Sequence, residues 1–359
     1  MIEADTGREP GGAPDRFYLF DYLRIVLAVG VFMAHADRAG LFPAKLGAAC
    51  VQIFFALSGF LIGGILLRTA PKDLPRFYFN RCTRIWVPYA VAIFVVFVGT
   101  ALRQNLHDPK LWEFFFYKAT FVYNVFGTSQ LATFRDRMPL QGSANHFWSI
   151  CVEEQFYLVA PFVLLFVRRL RVPILVGLVL VNIVRPHDFC SVSLGVLLAL
   201  SRRRFGDWFL APLGVVAACL VLVVLALLSW WWPDSYTLAV GPAAVAVVAL
   251  TARPGPTRPI GTILGGMSYP FYLNHWLGLF TRKQVARVLH QGPFVTSCLA
   301  LGVALAIAFA HYRFIDRRIH AARARWYTRR RGIVACSVAI GLVVIGTVGG
   351  LIMTAHSPG

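Results

Sequence analysis

The chain has 359 residues, 58% of them hydrophobic and 14% charged, with a mean hydropathy of +0.65, which excludes an ordinary water-soluble domain and makes lipid the solvent for most of it. A net charge of +19 would suit nucleic acid in a soluble protein, but here the arginines fall in short tracts between apolar runs, as in the cytoplasmic loops of membrane proteins, so nucleic-acid binding is excluded. The seven cysteines stand singly, with no Cys-x-x-Cys pair and no metal-like spacing to His.

Residues 1–16 are Gly/Pro-rich and acidic. They lack the basic-then-apolar pattern of a signal peptide, so they are expected to form a flexible cytoplasmic N-terminus, with the first apolar run, 18–36, kept as a span. Runs long enough for a hydrocarbon core of about 30 Å follow at 47–67 and about 85–102. The connection 103–146 is polar and aromatic and too long for an idle loop. Within it, Trp112-Glu113-Phe114-Phe115-Phe116-Tyr117 suits the membrane interface. Then come 147–167, two short runs at 172–184 and 189–200, and 209–231, 236–251, 260–280, 293–314 and 332–353. The expected fold is all-α, a polytopic transmembrane helical bundle of about ten to eleven spans, with the short runs tilted, re-entrant or thinning the bilayer. Basic tracts at 68–84, 168–171, 202–204, 253–258 and 313–331 share one side if the N-terminus is cytoplasmic. Arg282-Lys283 with Arg287 is the misfit.

Charged groups at bilayer depth are costly unless paired or solvated, so they mark function or a wet cavity. In the first run Asp21 and Arg24, three apart, share a helix face and can neutralise each other. Arg24 and His35 are eleven apart, about three turns and roughly 16 Å, with Ala28 and Val31 between them. That spacing suits a narrow tunnel with a cation at one end and a titratable imidazole at the other. It equally suits an Arg reaching the cytoplasmic interface and a His in the outer headgroup zone.

In the run His146-Phe147-Trp148-Ser149-Ile150-Cys151-Val152-Glu153-Glu154-Gln155-Phe156-Tyr157, helical spacing places His146, Ser149, Glu153 and Tyr157 on one face and turns Glu154 about 100° away. Both carboxylates could instead lie exposed at the helix end. Ser268, Tyr272 and His275 share another face, where a structural hydrogen-bonding role is the commoner one for a membrane His. Arg81 and Arg84 suit either positive-inside anchoring or a two-pronged hold on an anionic phosphate.

Taken in order, six segments resemble acyltransferase family 3, the integral-membrane acyltransferases of polysaccharides, lipopolysaccharides, nodulation factors and antibiotics. They are Phe20-Asp21-Tyr22-Leu23-Arg24 with His35 (R-x10-H), Phe54-Phe55-Ala56-Leu57-Ser58-Gly59-Phe60, Phe79-Asn80-Arg81-Cys82-Thr83-Arg84-Ile85-Trp86, the Trp148 to Tyr157 run, Leu194-Gly195-Val196-Leu197, and Ser268-Tyr269-Pro270-Phe271-Tyr272-Leu273-Asn274-His275. Tyr312-Arg313-Phe314-Ile315-Asp316 is similar to the family's ending, with Asp where Glu is usual and the following Pro absent.

The resemblance implies a membrane acyltransferase domain over 17–320, followed at 321–359 by a basic connector and an extra C-terminal transmembrane helix. It implies a multi-pass protein of the bacterial cytoplasmic (inner) membrane. The donor would be cytoplasmic acyl-CoA, acetyl-CoA in the first instance, and the acceptor a carbohydrate or glycoside hydroxyl at the outer face, with no metal. His35 would be catalytic as base or acyl carrier, with Glu153 or Glu154 orienting the acceptor or the imidazole. Arg24, Arg81, Arg84 and Ser58 would line the donor site, and Trp148, Ser149, Tyr157, Tyr272 and His275 the acceptor site. A base near neutral pH fits hydroxyl chemistry. The alternative is a proton-coupled transporter using the same intramembrane Asp, Arg, His and Glu residues, which would give flux without CoA.

Overall fold

The structure, a computed structural model, describes residues 16–36, 43, 45–103, 106–127, 131–134, 137, 139–140, 142–289 and 292–355. The expected cytoplasmic N-terminus, apart from Arg16, lies outside the described residues, as do the side chains of Lys283 and Arg287. An apolar backbone in lipid must satisfy its own N–H and C=O groups, and helices do so within one segment. Accordingly the described residues are almost wholly helical, and they contain only an isolated antiparallel bridge between Phe17 and Pro254.

The helices are α1 (Tyr18–Ala36), α2 (Leu46–Leu66), α3 (Leu74–Ala101), α4 (Pro109–Ala119), α5 (Trp148–Pro161), α6 (Arg171–Val184), α7 (Phe189–Phe205), α8 (Pro212–Trp231), α9 (Tyr236–Thr251), α10 (Pro259–Leu289), α11 (Pro293–His311), α12 (Arg317–Trp326) and α13 (Arg329–Ala355). Eight stretches, built on α1, α2, α3, α5, α8, α9, α11 and α13, are long and apolar enough to cross a membrane. The other apolar runs of the sequence are α6 and α7, of 14 and 17 residues, and α10, whose 31 residues include Ser268, Asn274 and His275. The third helix starts well before the apolar run it contains, with Pro75 in its first turn, where a missing N–H costs nothing. Arg81 and Arg84 therefore stand on regular helix. The aromatic run 112–117 is helical too, its N-terminus capped by Asp108, whose carboxylate accepts from the Lys110 amide at 2.9 Å.

The chain forms two compact units, Met1–Pro71 with Ala160–Tyr312 and Lys72–Val159 with Arg313–Gly359. The boundary expected near residue 320 falls inside the second of these.

In the first unit α1 lies between α2 and α10, α10 packs along α11, and α2 packs along α7. One core joins Phe20, Phe60, Leu198, Phe209 and Val248; another joins Ile25, Ala28, Phe32, Phe271 and Ala304. The α2–α7 contact is backbone on backbone: a Cβ on Gly59 would meet the Val192 carbonyl, and one on Gly195 the Ala56 carbonyl. No residue of α8 is buried, so this uniformly apolar helix presents its sides to lipid.

In the second unit α13 packs along α3 and α4. Its glycines admit the contact, with Gly332 on the Pro75 carbonyl, Gly349 on the Phe116 ring and Gly350 on the Phe126 ring. The helix beyond the expected acyltransferase core is thus a structural part of this unit. Phe121 has a left-handed backbone (φ 57°), costly for a bulky residue. Gln155 Nε2 donates to its carbonyl at 2.8 Å, and its ring stacks on Tyr89 at 5.3 Å.

Lys118, at the end of α4, is 1% exposed. Its Nζ has no hydrogen-bond partner among the described residues and sits 3.4 Å from the Tyr123 ring centroid. Burial holds its pKa well below the usual lysine value. Unfolding then takes up a proton, so stability rises with pH from the lowered native pKa to about 10.4. Melting temperatures measured by intrinsic fluorescence across alkaline pH should climb more steeply for the parent than for Lys118→Met. Parallel curves would contradict the assignment.

Candidate active site

The first unit gathers polar side chains around a proline. Pro270 lies inside α10 and removes a ladder hydrogen bond there. Side chains cover the carbonyls around it: Ser268 Oγ donates to Gly265 O at 2.7 Å and Asn274 Nδ2 to Pro270 O at 2.9 Å. His275 Nδ1 donates to Tyr272 O at 2.7 Å. Satisfying the helix in this way aims the rest of the His275 ring at α1.

There His275 Nε2 meets His35 Nδ1 at 3.1 Å, the two rings stacked 5.4 Å apart with an interplanar angle of 13°. A carbonyl oxygen only accepts, so His275 carries its hydrogen on Nδ1, and with one proton per ring its Nε2 accepts from His35 Nδ1–H. That leaves the lone pair of His35 on Nε2. His275 is 1% exposed, whereas His35 is exposed. A hydrogen bond from Arg282 to the Ala36 carbonyl ties the end of α1 to α10.

At the other end of α1, Arg24 and Asp21 form the expected pair at 3.4 Å, each side chain 20% exposed. The Asp21 carboxylate rests on Gly265. Ala28 and Val31 are buried, Ala28 within the α1–α10–α11 core, so protein fills that stripe of α1. Ser58 is half-buried on α2. Tyr272 is buried, its ring edge-on to Phe54 of α2 at 6.1 Å.

The second unit holds the other expected residues. Glu153 and Glu154 separate: Glu154 is 2% exposed and Glu153 half-buried. Trp86 Nε1 donates to Glu154 Oε1 at 2.9 Å, while Oε2, also buried, has no hydrogen-bond partner among the described residues. A buried carboxylate oxygen without a donor is costly. Ser149 is buried and its hydroxyl donates to the His146 carbonyl at 3.1 Å. Tyr157 is buried, and Trp148, Arg81 and Arg84 are half-buried. Arg81 lies over the Phe77 ring at 5.9 Å.

Sequence reasoning passed over two participants. Trp86 was in view within the arginine run, and its indole N–H needed a buried acceptor. His311, buried in α11, accepts from Asn274 Nδ2 at 2.9 Å; an imidazole inside an apolar run was the available signal.

A polytopic all-α membrane protein with an imidazole pair held by a proline-interrupted helix is the class that this geometry defines. Residues 17–313 match the acyltransferase domain, and the chain belongs to that acyltransferase family. It is 31% identical over 180 residues, 46% of this chain, to the peptidoglycan O-acetyltransferase of Listeria monocytogenes. An uncharacterised protein of Haemophilus influenzae is 29% identical over 152 residues, 40% of this chain. The chain spans 28% of the Listeria protein's length and 61% of the Haemophilus protein's. No solved structure matches it.

Proposed function

We propose that the chain is a membrane O-acyltransferase that moves an acetyl group from acyl-CoA on the cytoplasmic side to a hydroxyl of a sugar-containing acceptor at the outer face of the inner membrane. The observation that carries this reading is the hydrogen-bonded chain from Tyr272 O through His275 to His35. It makes Nε2 of an exposed imidazole the free base, and a neutral imidazole is the side chain suited to take a proton from a hydroxyl near neutral pH. In the reaction the acceptor oxygen attacks the thioester carbonyl carbon as His35 Nε2 takes its proton. The C–S bond breaks, and the proton passes to the departing CoA sulfur. His275 holds the His35 ring and tautomer, the role played by the third member of a nucleophile-activating triad.

Arg81 and Arg84 bind the CoA phosphates, with Arg24 and Ser58 along the donor path. The two carboxylates take different parts, Glu154 fixing its helix through Trp86 and the more accessible Glu153 facing the acceptor. The sugar acceptor is supported by the name of the Listeria relative.

The test is release of free CoA from acetyl-CoA by the protein purified in lipid nanodiscs, with and without glycan fragments as acceptor. Acceptor-dependent release of CoA is expected. A folded parent that neither binds CoA nor releases it with any acceptor would remove the acyl-CoA reading and leave proton-coupled transport.

A further inference from the structure

Pro270 gives α10 a weak point just over one turn before His275. It supplies no N–H to the Gly266 carbonyl and its ring crowds that carbonyl, so the turn 270–275 is held less firmly by its own helix than the turns around it. Close packing fixes the helix on either side. Before the break the Asp21 carboxylate rests on Gly265 and the Tyr312 ring on Gly266; after it Gly278 rests on the Ala300 carbonyl. The turn between carries Tyr272 O and His275, which together set the tautomer and the place of the His35 ring.

Toward α11 this part of α10 shares one apolar core, in which Phe271 lies with Ala300, Ala304 and Ala308. Apolar contact is non-directional, so it holds two helices together without fixing how a weakened turn is rotated. A hydrogen bond does fix rotation, because it weakens steeply away from its preferred angle. Such a bond crosses from α10 to α11 one residue before His275. Asn274 Nδ2 donates to Pro270 O at 2.9 Å and to His311 Nδ1 at 2.9 Å. A carbonyl only accepts, which settles the orientation of the amide and leaves its second hydrogen for His311. Asn274 is 2% exposed and His311 7%, so the bond is shielded from water. Successive helix residues point about 100° apart, and accordingly Asn274 grips α11 while His275 reaches α1. One turn is thus hydrogen-bonded to a histidine on each neighbouring helix.

We propose that Asn274 and His311 are positioning residues for the base. Their bond sets the rotation of the turn 270–275 and, through it, the 3.1 Å contact of His275 with His35. They act through His275 and not on the substrate. This rests on the reading of His35 as the base, so the experiment carries a second readout that does not need turnover.

Acetyl-CoA turnover in nanodiscs would be compared for the parent, Asn274→Leu, Asn274→Ala and His311→Phe. His311→Asn is the conservative variant, because its Oδ1 can stand where Nδ1 accepts. Thr296→Val is the control: this buried hydroxyl of α11 donates only within its own segment, to Gly292 O at 3.2 Å and Pro293 O at 3.1 Å. Removing the bond should lower kcat about tenfold or more, as for other partners that orient a reactive imidazole, with KM for acetyl-CoA little changed. His311→Asn should recover most of the loss, and Thr296→Val should stay within about twofold, a small fraction of 1.4 kcal/mol. On a His275→Phe background His311→Phe should cost less than about twofold more, since two changes on one line of action do not add. Any folded removal that keeps parental kcat overturns the proposal, as does a rise in KM alone. A full tenfold loss repeated on the His275→Phe background also overturns it, because the role is then general packing. The second readout is the through-space solid-state NMR signal between the labelled His35 and His275 rings, whose centroids are 5.4 Å apart. If the parent shows no turnover, the acyl-transfer reading fails and this signal decides alone. Its loss in His311→Phe with recovery in His311→Asn keeps the positioning role, and its persistence in His311→Phe removes it.

Discussion

His35→Ala should lower acetyl-CoA turnover by two to four orders of magnitude, the range contributed by one positioned general base (about 10² to 10⁴), while acetyl-CoA affinity stays near that of the parent. The loss should appear in kcat, because the base acts on the acceptor proton in the transition state. His275→Phe keeps an aromatic ring in the buried slot but removes the acceptor that holds His35 Nδ1–H at 3.1 Å. It should lose about 10- to 100-fold, as expected for a supporting partner that orients a reactive imidazole. Single-turnover measurements with excess protein separate chemistry from product release. More than a tenth of parental turnover in His35→Ala would exclude the imidazole as base.

Gly59→Val should abolish a folded, monodisperse product, and Gly195→Val should do the same. At both positions the obstacle is a carbonyl on the neighbouring helix, Val192 for the first and Ala56 for the second, and backbone cannot swing aside as a side-chain tip can. Overpacking of a rigid contact typically costs about 1–3 kcal/mol and more where nothing relaxes. Gly64, on the same helix, has nothing within 4 Å of where a Cβ would stand. Gly64→Ala should therefore be neutral or stabilising by up to about 1 kcal/mol through helix propensity. Size-exclusion profiles and melting temperatures of the three variants check the contrast. Normal behaviour of Gly59→Val would mean that α2 and α7 are further apart than described.

The fold class could be read from the chain because lipid leaves an apolar run little choice but to become helix. The R-x10-H spacing and the Arg81/Arg84 pair were likewise visible, since each is a short-range pattern on one helix. The partners were hidden, because periodicity gives the face of a helix but not its neighbour. His35 and His275 are 240 residues apart, and neither their meeting nor the carbonyl that sets the tautomer leaves a local trace. Helical spacing turned the two adjacent glutamates to different faces, but that Glu154 is the buried one, with Trp86 as its donor, left no local trace. The early start of α3 was obscured because its basic first half breaks the apolar run, although charge at a span's mouth is compatible with helix. The contact of α12 with α3 joins segments more than 200 residues apart, beyond any spacing rule.

The composition of the second unit fixes an order of events during synthesis. Helices α3, α4 and α5 leave the ribosome early, but the helix that packs on Pro75, Phe116 and Phe126 begins only at Arg329, well over a hundred residues after α5 ends at Pro161. At about 5–20 residues per second, the early helices wait roughly 10 to 40 seconds for α13, with Phe116 and Phe126 uncovered. During that interval the bilayer, or a membrane chaperone, has to stand in for the missing helix. A stop codon anywhere before α13 would therefore leave the early part of the molecule without the helix that closes it.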